Sequence, residues 1–215
     1  MPLRDAALRW LPGVASLLRS GAEKTSPGTL SFIAARTAAF DAASLDALAS
    51  GARQFVAVAA GYEVRTLRLA ASRPSSPAAA HGGAVAFYEV DTPKTMQRKR
   101  ALVARLFKRD RPPVFVGADL SQARLEDALA AAPGYDAAAT TFFTAEGLVY
   151  YLPPPALGAL LDGVAAAGGP GSRIAFDFLP RELLDGRAPM PPGLKARSSR
   201  HADAEAELTQ AFPKL

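Results

Sequence analysis

The chain contains no cysteine and only two histidines, His81 and His201, in 215 residues. Without thiols there is no disulfide scaffold, no thiolate nucleophile and no cysteine-ligated zinc or iron–sulfur centre. Two imidazoles leave little material for a metal site, so no metal is expected. No apolar run approaches the ~18 residues of a membrane span. Three motifs are also missing: G-x-G-x-x-G, G-x-S-x-G and a phosphate loop ending in G-K-[ST]. Their absence argues against a dinucleotide pyrophosphate cradle, a serine-hydrolase nucleophile elbow and a nucleoside triphosphatase. A short nicotinamide-dependent reductase is disfavoured too, because the chain has no Tyr-x-x-x-Lys pair.

What is present is alanine. The apolar fraction is 49%, but 47 residues are Ala, so large side chains are near the low end for a globular chain. The length fits one domain with extensions and is sufficient to bury roughly 70% of the unfolded chain's surface. The net charge is 25 − 20 = +5, which favours anionic partners. The densest basic group runs from Lys94 through Arg98, Lys99, Arg100, Arg105, Lys108 and Arg109 to Arg111. It reads as one solvated helix; no aromatics interleave it as a nucleic-acid surface would require, so nucleic acid is not an expected partner. In the first 30 residues Leu8, Leu11, Val14 and Leu18 repeat at helical spacing, and Asp5 and Glu23 weaken a transit-peptide reading. A cytoplasmic protein is expected, with an organelle as the alternative if that segment is a targeting signal.

From Phe32 onward short apolar runs alternate with helical patterns. Helices are predicted over Ser31–Ser50 (stopped by Gly51), Val64–Ser72, Thr92 to about Lys108, Ser121–Ala132 and Pro153–Ala167. Thr92 is the expected cap before Pro93, and Ser121 the expected cap of the fourth helix. Strands are predicted over Gln54–Ala60, Ala84–Val90, Val114–Val116, Ala137–Thr144 and Ile174–Phe178. Pro, Ser and Gly make 73–83 a loop. This order predicts an α/β doubly wound, mostly parallel sheet of about five strands, covered on both faces and incomplete at its C-terminus. An N-terminal helical segment (1–52), a Rossmann-like core (53–180) and a Pro/Gly-rich tail with one further short helix over 202–212 (181–215) are the expected divisions.

Ligands of such sheets sit at the carboxyl ends of the strands. After the first strand comes Gly61, which allows either close backbone approach or simply a sharp turn. After the second comes Asp91, placed to accept from two ribose hydroxyls or to complement the following helix N-terminus. After the third comes Asp119, placed to accept from an adenine amino group or to cap the next helix. After the fourth comes Glu146, an acid leaving an apolar strand toward a cleft. Three acids and a glycine suit a ligand that is hydroxyl-rich, cationic and free of phosphate. S-adenosyl-L-methionine has that chemistry.

These segments also carry a resemblance. Residues 33–41 (IAARTAAFD), 58–65 (VAAGYEVR), 88–93 (YEVDTP) with Lys99, 117–120 (GADL) and 145–152 (AEGLVYYL) resemble, in this order, the leucine carboxyl methyltransferase family. These are class I S-adenosylmethionine-dependent O-methyltransferases, and the likeness spans roughly Arg9 to Leu179. The resemblance implies that Arg36 faces the cofactor carboxylate and Gly61 closes the first-strand loop. It implies that Asp91 binds the ribose, that Asp119 and Leu120 flank the adenine, and that Glu146 lies near the methionine end. Two positions of the loop depart from the family's pattern, Ala59 standing for a Gly and Glu63 for an Asp. Family members also continue through two more strands, so an exposed sheet edge covered by a protein partner or a second copy is expected, or a shortened or degenerate relative.

The implied acceptor is a carboxylate or hydroxyl, on a small molecule or a protein. A carboxylate is already anionic at neutral pH, so alignment and water exclusion suffice and no general base is needed. No residue is singled out as catalytic. Arg65, Tyr150 and Tyr151 are the expected substrate-side contacts.

Overall fold

The computed structural model of the chain describes residues 29–72, 85–107, 112–180 and 187. The N-terminal helix around Leu8–Leu18, the loop 73–83 and the late helix 202–212 lie outside the described residues, as do His81 and His201. Ala39–Phe178 belong to one compact unit, whereas residues 29–38 group with a second.

The described elements are α1 (Thr29–Ala49), β1 (Gln54–Val58), α2 (Arg65–Ser72), β2 (Ala86–Asp91), α3 (Pro93–Leu106), β3 (Val114–Gly117), α4 (Leu125–Ala130), β4 (Thr141–Ala145), α5 (Pro154–Ala167) and β5 (Arg173–Phe176). The strands form one sheet in the order β3-β2-β1-β4-β5, and every pairing is parallel. The doubly wound class expected from the alternating pattern is therefore the observed one.

Alternation within the strands builds two cores. Phe55, Ala57, Phe87 and Phe142 face α1, α2 and α3, meeting Leu48, Leu67, Met96 and Val103. Val56, Val58, Val90 and Phe143 face α4 and α5, meeting Leu125, Leu129, Leu160 and Val164. Register places Phe55 opposite both Phe87 and Phe142. Their ring centroids are 5.8 and 5.7 Å apart, an aromatic row across three strands.

The element ends show where side-chain chemistry overrides pattern. Gly51 ends α1 as expected: at φ +99° it lets Gly51 N–H bond the Leu48 carbonyl and Ala52 N–H bond the Ala47 carbonyl. β1 stops at Val58 rather than Ala60, because Ala59 turns to φ +52°. Thr92 precedes α3 but does not cap it; its hydroxyl meets that of Thr95 at 2.9 Å. Ser121 does not cap α4 either, since its hydroxyl donates to Asp119 at 2.7 Å, and the helix begins only at Leu125. β4 starts at Thr141 rather than Ala137 because Asp136 accepts the Ala138 and Ala139 N–H groups in a turn. β5 begins one residue earlier than expected and ends at Phe176.

The basic helix is also corrected. Lys99 on α3 is not solvated: it lies 2.6 Å from Glu89 on β2, both side chains almost wholly buried. Thr66 of α2 donates to the other Glu89 oxygen. Arg100 reaches the Phe115 carbonyl at 2.9 Å. Burial pushes the Glu89 carboxyl above its ordinary range, with Lys99 acting against it.

Phe55 is fully buried at the centre of the aromatic row. Phe55→Ala is expected to cost about 3–5 kcal/mol of stability, read as a lowered urea midpoint with an unchanged m-value.

Candidate functional site

The sheet order reverses between β1 and β4. Chain leaving β1 crosses to β2 and β3 on one side, while β4 and β5 lie on the other, and a crevice at the carboxyl edge is expected at such a switch point. Register brings the relevant ends together: Val58 lies opposite Val90, Asp91 opposite Gly117, and Ala57 opposite Thr144. The residues that follow these positions are Ala59–Gly61, Asp91, Ala118–Asp119 and Glu146.

Asp91 is held from two sides. Gly61 N–H donates to its Oδ2 at 2.9 Å and Thr92 N–H to its Oδ1 at 2.7 Å. Main-chain bonds Ala60 N–H to Val90 and Ala118 N–H to Asp91 tie the tips of β1, β2 and β3 together. Each Asp91 oxygen keeps a lone pair after these bonds, so the half-buried carboxylate retains acceptor capacity for two adjacent hydroxyls. Gly61 sits at φ +47°, where a β-carbon is strained although no neighbour crowds it. Ala59 adopts φ +52° despite its methyl, a conformation costing about 1–2 kcal/mol for a residue with a β-carbon.

Arg65, at the start of α2, commits each guanidinium nitrogen to a different carboxylate. Nε meets Asp41 of α1, Nη1 meets Glu63 of the β1–α2 loop, and Nη2 meets Glu146 at the tip of β4, all at 2.7 Å. Its cation also lies 5.3 Å from the Phe40 ring centroid. Arg68 holds Asp41 from the surface side at 2.8 Å. Burial pushes the Asp41 carboxyl up, but Arg68 and Arg65 outweigh it and hold it below its ordinary value. Burial pushes Glu63 to about 7; Arg65 acts against this, and the negative charges of Glu146 and Glu89 add to it. Glu63 Oε1 is buried without a hydrogen-bond partner.

The remaining expected site residues are placed as follows. Asp119 is exposed, and its Oδ1 accepts both the Ser121 N–H and hydroxyl, the capping alternative in a turn rather than at a helix. Leu120 packs partly on the α4–α5 core. Tyr150 and Tyr151 follow β4 in a 3-10 turn (Val149–Tyr151) with ring centroids 4.7 Å apart. Arg36 lies on α1 with its guanidinium 5.7 Å from the Phe32 ring centroid, in the part of the chain that groups with the second unit. Arg65, the other expected substrate-side residue, is 3% exposed, with its guanidinium committed to three carboxylates.

Three participants escaped the sequence reading. Asp41 stands in the sequence within the 33–41 motif and Asp177 within a predicted strand, neither with a role assigned. Yet Asp177, just past β5, accepts the Gly147 N–H at 2.6 Å and ties the β4 tip to its other neighbour. The Glu89–Lys99 pair is the third. Its available signal was an acid inside an apolar strand, which requires a buried partner.

A family model described as leucine carboxyl methyltransferase matches residues 6–165. The chain belongs to this family. Among curated relatives, one from Mycobacterium tuberculosis (strain ATCC 25618 / H37Rv) is named "Putative S-adenosyl-L-methionine-dependent methyltransferase Rv0830". It is 36% identical over 157 residues, which are 69% of this chain and 46% of the relative. A relative from Mycolicibacterium smegmatis, with the same descriptive name, is 40% identical over 152 residues, covering 69% of this chain and 45% of that one. The chain thus spans about half the length of these relatives. In fold it is similar to the crystal structure of "a putative methyltransferase from Thermobifida fusca YX", with a TM-score of 0.54 and 21% identity over 87% of this chain and 66% of the other. That likeness agrees with the family's Rossmann-like fold.

Two outcomes follow from the loop. Glu63 in the folded state keeps a proton near pH 7 that the unfolded chain releases around its ordinary 4.5. The folded state therefore binds more protons across that window, and Glu63 makes stability fall as pH rises from 4.5 to 7. Urea unfolding at several pH values is expected to show this decline, and a flatter profile for Glu63→Gln. Ala59→Gly removes the penalty of a β-carbon at φ +52° and is expected to raise stability by about 1 kcal/mol in the same assay.

Proposed function

We propose that this chain carries an S-adenosyl-L-methionine-dependent O-methyltransferase activity, with 53–180 as the cofactor-binding core and 1–52 and 181–215 flanking it. The observation that carries the reading is the Asp91 carboxylate at the β2 tip. It is pinned by the N–H groups of Gly61 and Thr92 and left with one acceptor position per oxygen, the chemistry a ribose diol needs. Membership of the methyltransferase family supports it. Asp119 and Leu120 are the proposed adenine neighbours, and Glu146 and Arg36 the proposed contacts for the ammonium and carboxylate of the methionine end.

When bound, the cofactor supplies an electrophilic methyl on a sulfonium. The protein's own task is to hold the acceptor oxygen in line and keep water away. With a carboxylate acceptor no base is required, and a chain without cysteine is no obstacle. Tyr150 and Tyr151 are the proposed acceptor-side residues. The acceptor is a carboxylate or hydroxyl of a small molecule or protein. Nucleic acid is not the proposed acceptor, since no aromatics interleave the basic helix. No helix among the described residues is long and apolar enough to cross a membrane, and a cytoplasmic setting goes with this reading.

Ala59 favours a second reading, a methyltransferase-like subunit of a larger assembly that has lost turnover. Its methyl stands at a left-handed position of the loop where the resemblance implies glycine. Calorimetric titration with S-adenosylhomocysteine separates the two. The enzyme reading expects saturable binding that Asp91→Ala reduces at least about a hundredfold, by removing a charged acceptor for two hydroxyls. No heat at millimolar ligand favours the second reading instead.

A further inference from the structure

Among the described residues, the titratable cluster centred on Arg65 joins three separate parts of the chain. It gathers carboxylates from α1, from the β1–α2 loop and from the β4 tip, each 2.7 Å from a different nitrogen of one guanidinium. A planar fork fixes direction as well as distance, whereas an ammonium fixes neither. Glu146 and the loop bearing Gly61 leave strands on the two sides of the switch point, β4 and β1. Their ladder bonds end at Val58 and Ala145, so beyond those residues the ladder no longer sets their separation. Arg65 spans this gap. Being 3% exposed, it acts through what it holds and not by touching an acceptor. Asp41 and Glu146, joined by Glu63 once it ionises near pH 7, would repel one another without it.

We propose that Arg65 is a positioning residue: its three-way ion pair fixes the Glu146 carboxylate and the Gly61 loop relative to each other, and so sets the affinity of the cofactor site. The proposal rests on the methyltransferase reading for its ligand, but not for its geometry. Arg65→Lys keeps the charge and removes the fork, which avoids leaving three buried acids without a cation. It is expected to weaken S-adenosylhomocysteine binding at least about tenfold in calorimetry, with an unchanged circular dichroism spectrum. In a Glu146→Gln background the same change is expected to alter affinity less than about twofold, because the group it positions is already gone. Equal losses in both backgrounds overturn the proposal, since a merely structural arginine gives additive effects. If the parent protein binds no S-adenosylhomocysteine, the methyltransferase reading fails and the clamp is judged by amide exchange. Arg65→Lys must then speed exchange at Gly61 and Gly147 about tenfold and leave Val56 unchanged. Unchanged loop exchange, or acceleration everywhere, overturns it.

Discussion

The rest of the structure depends on the pairing of β1 with β2 on one side and β4 on the other. All five residues of β1 are buried. Its apolar side chains supply both cores, both rows of its backbone groups pair with a parallel neighbour, and its one polar residue, Gln54, is committed to Asp136 and Thr141. Polar chemistry is therefore displaced to the point where the chain leaves the strand. Ala59 and Gly61, both at positive φ, turn it there within a few residues. The Gly61 N–H freed by that turn meets Asp91, the residue with which β2 emerges from the same layer.

Electrostatics divides the carboxyl edge into two kinds of acid. Asp91 and Asp119 are held by N–H and O–H donors of the local chain, which orients them without cancelling their charge. Glu63, Glu146 and Asp41 share the Arg65 cation and give up part of their exposure. The first kind keeps acceptor capacity, whereas the second is committed to the guanidinium. Below both, Glu89 and Lys99 are enclosed between β2, α2 and α3. A buried pair of this kind is weak support for stability and costly to break from one side, so both members matter to how α3 sits on the sheet.

Much of this was legible in the chain. The alternation of short apolar runs with helical patterns identified all five strands and the parallel class, and an acid after each of β2, β3 and β4 marked the edge to inspect. Boundaries failed where a side chain had two uses. Ser121 and Thr92 look like helix caps, but Asp119 and Thr95 compete for their hydroxyls, and periodicity carries no information on that competition. In the sequence Arg65 reads as a substrate-side contact. Only the distances to Asp41, 24 residues earlier, and Glu146, 81 residues later, reveal its burial. Lys99 was hidden similarly in a run of exposed bases. The sequence-distant pairs are the ones local reading loses.

If S-adenosyl-L-methionine is the ligand, as proposed, recognition falls at the carboxyl ends of β1 to β4. Amide chemical-shift mapping with S-adenosylhomocysteine tests this most directly. The predicted result is that Gly61, Thr92, Ala118 and Gly147 shift in a saturable way, while Arg53, Ala86 and Thr141 at the opposite ends of the strands stay fixed. Shifts concentrated at those opposite ends, or a spectrum unchanged at millimolar ligand, would contradict it.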